Sequence, residues 1–245
     1  MQKYQLPIIQ DLKAIKTAEE IKCIVKAQRI SEDVLRQSVL RLKIGVTEIA
    51  LAHFIVNEFK KQGVKALAFE PIVSFGKNTA NVHHEPSKAK LKIGDAVMFD
   101  FGCTYKGYCS DMTRTYFFGK PNVKQERVYL AVLAAQEKVL QALGKRERNC
   151  GKLDAWARNF LHKKFGKKSF THGLGHGVGT AIHEWPNFKP GSKDILRPSM
   201  VMTIEPGVYI KNWGGVRIED MVVVTKNGYK NLTKAKKGLE DIIIK

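Results

Sequence analysis

The chain has 245 residues, 44% apolar and 27% charged, values that exclude collagen-like, disordered and membrane-embedded classes. At this length a hydrophobic core forms without disulfides or a structural metal. Forty-two lysines and arginines against 23 aspartates and glutamates leave a net charge of +19, so nucleic acid, a ribosome or another anionic surface are the first partners to consider.

The N-terminal stretch MQKYQLPIIQDLKAIK lacks the apolar core of a signal peptide, and no window approaches the roughly 20 apolar residues of a membrane span. Thr17-Ala18-Glu19-Glu20 reads as a capping box that opens a helix. Ile21, Ile24, Val25, Val34, Leu35 and Leu42 then give a helical stripe that stops near Gly45. Thr47 caps a second helix, with Leu51, Phe54, Ile55 and Phe59 on its apolar side and Gly63 at its end. Residues 66–74 turn strand-like, and 96–104 and 108–118 read as strands around a tight turn at Tyr105-Lys106-Gly107.

The order then repeats. Helices over 125–143 and 153–165, closed by Gly144 and Gly166, precede strand-like segments at 201–210 and 216–225. Two helices then a hairpin, twice, indicate a duplicated α+β architecture. No Pro-, Gly- or Ser-rich linker interrupts it, so residues 1–245 read as one domain of two lobes. Cys23, Cys103, Cys109 and Cys150 form no CxxC pair, which points to reduced, partly buried thiols and a reducing cytoplasm.

Both hairpins place ionisable residues in apolar strands. Asp100 interrupts Val97-Met98-Phe99-Asp100-Phe101, and Asp111 follows on the next strand. Their positions are centred between Tyr105 and Lys106, so antiparallel pairing brings them together, on one face if that register holds. Glu205 and Glu219 repeat the device, centred on Asn212. Close carboxylates in apolar strands repel unless they share a proton or a cation, and two hairpins of matching design favour a metal.

Between the hairpins lies Thr171-His172-Gly173-Leu174-Gly175-His176-Gly177-Val178-Gly179, then His183-Glu184. Four alternating glycines make a helix improbable there, at about 1 kcal/mol each relative to alanine. A backbone that must approach something closely is the better reading. Thr180 stands where the last glycine of a dinucleotide fingerprint belongs, and no GK[ST] or HExxH follows, which removes nucleotide-loop and zincin readings. Four carboxylates and one imidazole form a hard ligand set suited to Mn²⁺, Co²⁺, Fe²⁺ or Zn²⁺, and two divalent ions balance four carboxylates. The implied chemistry is metal-assisted hydrolysis.

At these residues the sequence resembles the pita-bread metallopeptidases: methionine aminopeptidase, aminopeptidase P and prolidase. The resemblance runs from about Leu12 to Thr225. It implies the pita-bread (creatinase/aminopeptidase) fold, with pseudo-duplicated helix-helix-hairpin lobes around a curved antiparallel sheet. It further implies two divalent ions, Mn²⁺ foremost: Asp100 on one, His176 and Glu205 on the other, Asp111 and Glu219 bridging both. Glu205 becomes the general base for a bridging water, His83 a substrate contact near the scissile bond and leaving nitrogen, and His183 the stabiliser of the oxyanion. His172 becomes a substrate-pocket residue, whereas His84 has no counterpart.

Phe99-Asp100-Phe101-Gly102, Lys106 to Thr115 and Gly215-Val216-Arg217-Ile218-Glu219-Asp220 look like Xaa-Pro peptidases. Methionine aminopeptidases usually lack an arginine at the position of Arg217, which is expected at the substrate site, either orienting Glu219 or as a strand-surface charge. The resemblance thus implies a metallo-exopeptidase acting on a small peptide or a protein N-terminus, as an Xaa-Pro aminopeptidase or dipeptidase. Methionine aminopeptidase is the alternative enzyme, and a non-catalytic pita-bread RNA- or protein-binding module the alternative class. Aminopeptidase P and prolidase carry a separate N-terminal domain ahead of the matching segment, which is absent from this sequence. Oligomeric state, monomer or dimer, stays open. The basic residues spread over both halves, 19 against 12 acidic in residues 1–120 and 23 against 11 in 121–245. A solvated basic face is therefore expected, with weak nucleic-acid or ribosome association as a secondary property.

Overall fold

The structure, a computed structural model, describes residues 12–245; residues 1–11, most of the stretch read for a signal peptide, lie outside the described residues. Helix α1 (Ala18–Val39) opens on the expected capping box, in which the Thr17 hydroxyl accepts from the Glu20 amide and the Glu20 carboxylate from the Thr17 amide. It ends at Val39 rather than near Gly45, because residues 40–45 leave the helical path in turns and Gly45 takes φ +82°. Helix α2 (Glu48–Lys61), capped by Thr47, buries Leu51, Ala52, Ile55 and Phe59 as one stripe against α1 and the first strand.

Strand β1 (Ile72–Phe75) takes up only the end of the expected 66–74 segment. The two long strands expected next are each split: β2 (Ala96–Asp100) and β5 (Thr113–Phe118) form the base of the hairpin, β3 (Thr104–Tyr105) and β4 (Tyr108–Cys109) its tip. Between base and tip the chains pinch together, and a Cβ on Gly102 would lie 1.8 Å from the Ser110 carbonyl oxygen. The turn falls on Lys106-Gly107, both at positive φ.

In the second half, α3 (Val123–Gly144) and α4 (Cys150–Phe165) begin slightly earlier than expected because Asn122 and Asn149 cap them. Strands β6 (Gly175–Gly177), β7 (Glu184–Phe188), β8 (Val201–Ile204), β9 (Gly207–Ile210), β10 (Gly214–Arg217), β11 (Asp220–Thr225) and β12 (Gly228–Asn231) follow. A short β13 (Ile243–Ile244) returns to the first sheet, parallel to β5.

The strands form sheets of order β1-β2-β5-β13 and β12-β11-β8-β6-β7, plus the ribbons β9-β10 and β3-β4. The second long hairpin breaks, like the first, at its acidic residues: β8 and β11 lie in the large sheet, β9 and β10 in the ribbon. Gln136 of α3 satisfies the break, donating to the Ile204 and Ile218 carbonyls at 2.9 and 3.1 Å. Cys103, Cys109 and Cys150 are buried, Cys23 half-buried, and all four are free thiols. Among the described residues no helix is long and apolar enough to cross a membrane.

Candidate metal centre and catalytic cavity

The first hairpin pairs Asp100 with Thr113, so its turn lies one residue later than the midpoint of the two aspartates. Asp111 sits two residues back from Thr113, and a step of two keeps it on the face of Asp100, on the diagonal. The second hairpin keeps the expected centre. Ile204 pairs with Asp220 and Gly207 with Arg217, a register that carries Glu205 directly opposite Glu219, with Asn212 at φ +64° in the turn.

His176 enters from β6, between β7 and β8. The glycines around it serve strand packing: a Cβ on Gly175 would lie 2.1 Å from the Thr203 carbonyl oxygen, and one on Gly177 2.6 Å from that of Trp185. What this backbone approaches is its neighbouring strands. The His176 Nδ1 donates to the Gly177 carbonyl at 3.0 Å, which leaves Nε2 as a bare acceptor facing the carboxylates. Nε2 lies 3.5 Å from Asp111 Oδ2 and 3.4 Å from Glu205 Oε1. Asp111, His176 and Glu219 offer ligand atoms within 4.8 Å of one another. Asp100 and Glu205 stand outside that tight trio but line the same cavity, of about 670 Å³.

Charge in this cavity is crowded. Burial, then the neighbouring Asp100, pushes the Glu219 carboxyl up to about 8. Burial and the surrounding carboxylates, Glu219 first, hold Asp111 and Glu205 well above the ordinary carboxylate range. Burial lowers His176 to about 4, so its imidazole is neutral, the form that binds metal. Asp100 Oδ1 is buried without a hydrogen-bond partner among the described residues. An orphaned carboxylate oxygen, three carboxylates resisting ionisation and a neutral imidazole with a bare nitrogen are what a cation would resolve, so the donor set fits divalent metal.

Arg217 does not meet Glu219 directly. Its NH2 donates to Asp100 Oδ2 at 2.5 Å, its NH1 to the Tyr209 hydroxyl at 2.8 Å and its Nε to Thr113 Oγ1 at 3.0 Å. Thr113 in turn donates to Glu219 Oε2 at 2.7 Å, so the influence of Arg217 on Glu219 passes through a hydroxyl. Because Arg217 only donates, the Tyr209 proton is free for His172 Nε2 at 2.8 Å, while His172 Nδ1 donates to the Gly173 carbonyl. Burial, then Arg217, holds His172 at about 3, neutral.

His83 and His183 are exposed on the cavity wall, and the His183 ring packs edge-on at 4.4 Å from that of His176. Tyr209 was not singled out from sequence, although the strand period of two from Glu205 places it on the same face. Arg114, buried and paired with Asp220 at 2.7 Å behind the carboxylates, was likewise unmarked.

The profile of metallopeptidase family M24 matches residues 22–226. The chain is 39% identical over 232 residues to the Xaa-Pro dipeptidase of Pyrococcus horikoshii, covering 95% of this chain and 66% of that protein. It superposes on the X-Pro aminopeptidase of Thermotoga maritima with a TM-score of 0.90 at 32% identity, over 97% of this chain and 66% of that one. For the prolidase of Pyrococcus furiosus the TM-score is 0.88 at 38% identity, over 94% and 68%. The chain thus spans about two thirds of the length of these relatives. With its duplicated helix-and-hairpin halves, its acidic cavity and these matches, the chain belongs to metallopeptidase family M24 and has the pita-bread fold.

Proposed function

We propose that this chain is a metallo-exopeptidase that cleaves the first peptide bond of small peptides, preferring an N-terminal residue followed by proline. One observation carries the reading: Asp100, Asp111, His176, Glu205 and Glu219 line a single cavity as four carboxylates and a neutral imidazole. Two divalent ions match that donor set and its charge, Mn²⁺ foremost, with Co²⁺, Fe²⁺ and Zn²⁺ as the other candidates. Asp100 would hold one ion, His176 and Glu205 the other, and Asp111 and Glu219 both. When bound, such ions supply a water acidified enough to act as nucleophile near neutrality.

The chain's own residues do the rest. Glu205, half-buried and beside His176, takes the proton of the attacking water as general base and returns it to the leaving nitrogen as the C–N bond breaks. His183 donates to the oxygen of the scissile carbonyl as charge develops on it, a role worth a few kcal/mol in comparable sites, about 3–4. His83 meets the leaving nitrogen, and His172, kept neutral, shapes the pocket. Arg217 acts on the substrate site through Asp100, whose carboxylate it orients by a charge-assisted hydrogen bond. The proline preference is supported by the Xaa-Pro relatives. Residues 1–245 act as one catalytic domain, in a reducing cytoplasm that suits four free thiols. Association with RNA through the +19 charge is a secondary property.

Turnover of Xaa-Pro and Met-Ala peptides with Mn²⁺ or Co²⁺ tests the reading. Faster cleavage of Xaa-Pro peptides is expected. Preference for the Met peptide would overturn the proline assignment, and RNA binding without any metal-dependent hydrolysis would overturn the enzyme.

A further inference from the structure

A second buried carboxylate, outside the metal ligands, is used by no step above. Glu48 is the first residue of α2 and is wholly buried. Its Oε1 accepts from the Phe75 amide at 2.7 Å and Asn78 Nδ2 at 2.9 Å. Its Oε2 accepts from the Ser87 amide at 2.9 Å and the Ser87 hydroxyl at 2.6 Å, and meets His84 Nε2 at 2.8 Å. A carboxylate at this position also gains from the helix dipole. Burial opposes its ionisation, but Ser87, His84 and Asn78 outweigh burial and hold the carboxyl below its ordinary range.

The four residues that reach Glu48 bracket one segment, 75–87, and that segment carries His83 into the cavity. Its other side is tied to the second hairpin, since Thr79 Oγ1 accepts from the Gly215 amide at 2.7 Å, two residues before Arg217. His83 itself is exposed, and among the described residues no hydrogen bond holds its ring; its amide donates to Asn81 Oδ1 at 3.3 Å. The place of the His83 ring is therefore set by the backbone on either side of it.

We infer that Glu48 is the positioning residue for His83: it anchors both ends of the 75–87 segment and engages the adjacent His84, leaving the His83 ring to the cavity. The inference rests on the proposed peptidase reading for what His83 does there. An amide at position 48 would set a donor against donors and loosen the segment without emptying the core.

The test is Glu48→Gln in the metal-reconstituted full chain, alone and combined with His83→Ala. Alone, kcat is expected to fall about 10-fold with KM and bound-metal content little changed, since small misplacements of a catalytic group cost that much or more. In the His83→Ala background Glu48→Gln is expected to cost nothing further, because no ring is left to position. Multiplying losses, or a lowered melting temperature with unchanged kcat, would overturn the inference alone. If His83→Ala by itself leaves kcat unchanged, the catalytic reading of His83 fails and takes the inference with it. Should Glu48→Gln not fold, His84→Ala carries the same cycle, because it leaves Glu48 four of its five donors; it too must lower kcat and lose that effect beside His83→Ala.

Discussion

In the first hairpin Asp100 faces Thr113 and Asp111 lies on the diagonal; in the second Glu205 and Glu219 stand opposite each other. Directly opposed side chains start about 4.5–5.5 Å apart and diagonal ones about 7–8 Å. The two hairpins thus offer different ligand spacings on the same kind of ladder: the first breaks just past Asp100 and at Asp111, the second at Glu205 and Glu219. Each hairpin also completes the other. Arg217 of the second holds Asp100 of the first, and Thr113 of the first donates to Glu219 of the second. Neither half contains a finished site, so the duplication alone makes no centre.

The strongest way to break this comparison is Asp111→Ala, which removes a ligand proposed to serve both ions. Peptidase activity should fall to background with every metal tried, measured by turnover of an Xaa-Pro peptide; retained activity would end the two-ion assignment. Arg217→Met comes next. It unties the hairpins at Asp100, and breaking a buried pair costs about 3–5 kcal/mol, read by denaturant unfolding of the metal-free protein. Activity should drop roughly 10–100-fold, as for other residues that orient metal ligands.

A pH series separates the carboxylates from their cation. Glu219 stands at about 8 in the folded metal-free protein against an ordinary 4.5, so above 4.5 the folded state keeps a proton that the unfolded chain has lost. Its contribution is full below 4.5 and disappears as pH rises toward 8. The melting temperature of chelated protein should therefore fall across that interval, whereas saturating metal should remove the fall and Glu219→Gln should reduce it. The smallest effect concerns the turns. Lys106 (φ +50°) and Asn212 (φ +64°) both occupy the left-handed region, which asparagine adopts at lower cost than lysine. Lys106→Asn should stabilise the fold by about 1 kcal/mol at most, with activity unchanged, whereas Asn212→Lys should destabilise it by a similar amount.

Much of this was legible in one dimension because the physics is local. Thr17 with Glu20, the apolar stripes of the helices, and carboxylates breaking apolar strands all act within a few residues or across one turn. The second hairpin could be read correctly from the midpoint of Glu205 and Glu219, since that midpoint coincides with its turn. The first misled by one residue, because Asp111 pairs diagonally and the turn takes its place from Lys106-Gly107 instead. The glycines around His176 marked a close approach without saying to what, and neighbouring strand carbonyls turned out to be the answer.

By itself, then, the sequence determined the ligand types, their grouping on two hairpins and the helices behind them, through short-range periodicity and capping. Tertiary structure alone decided the partners: Arg217 with Asp100, Tyr209 with His172, and Glu48 with the segment that carries His83. Each of these pairings spans 27 residues or more, and no local rule specifies it. They exist because burying a charge or hydroxyl is tolerable only where the fold brings it a partner.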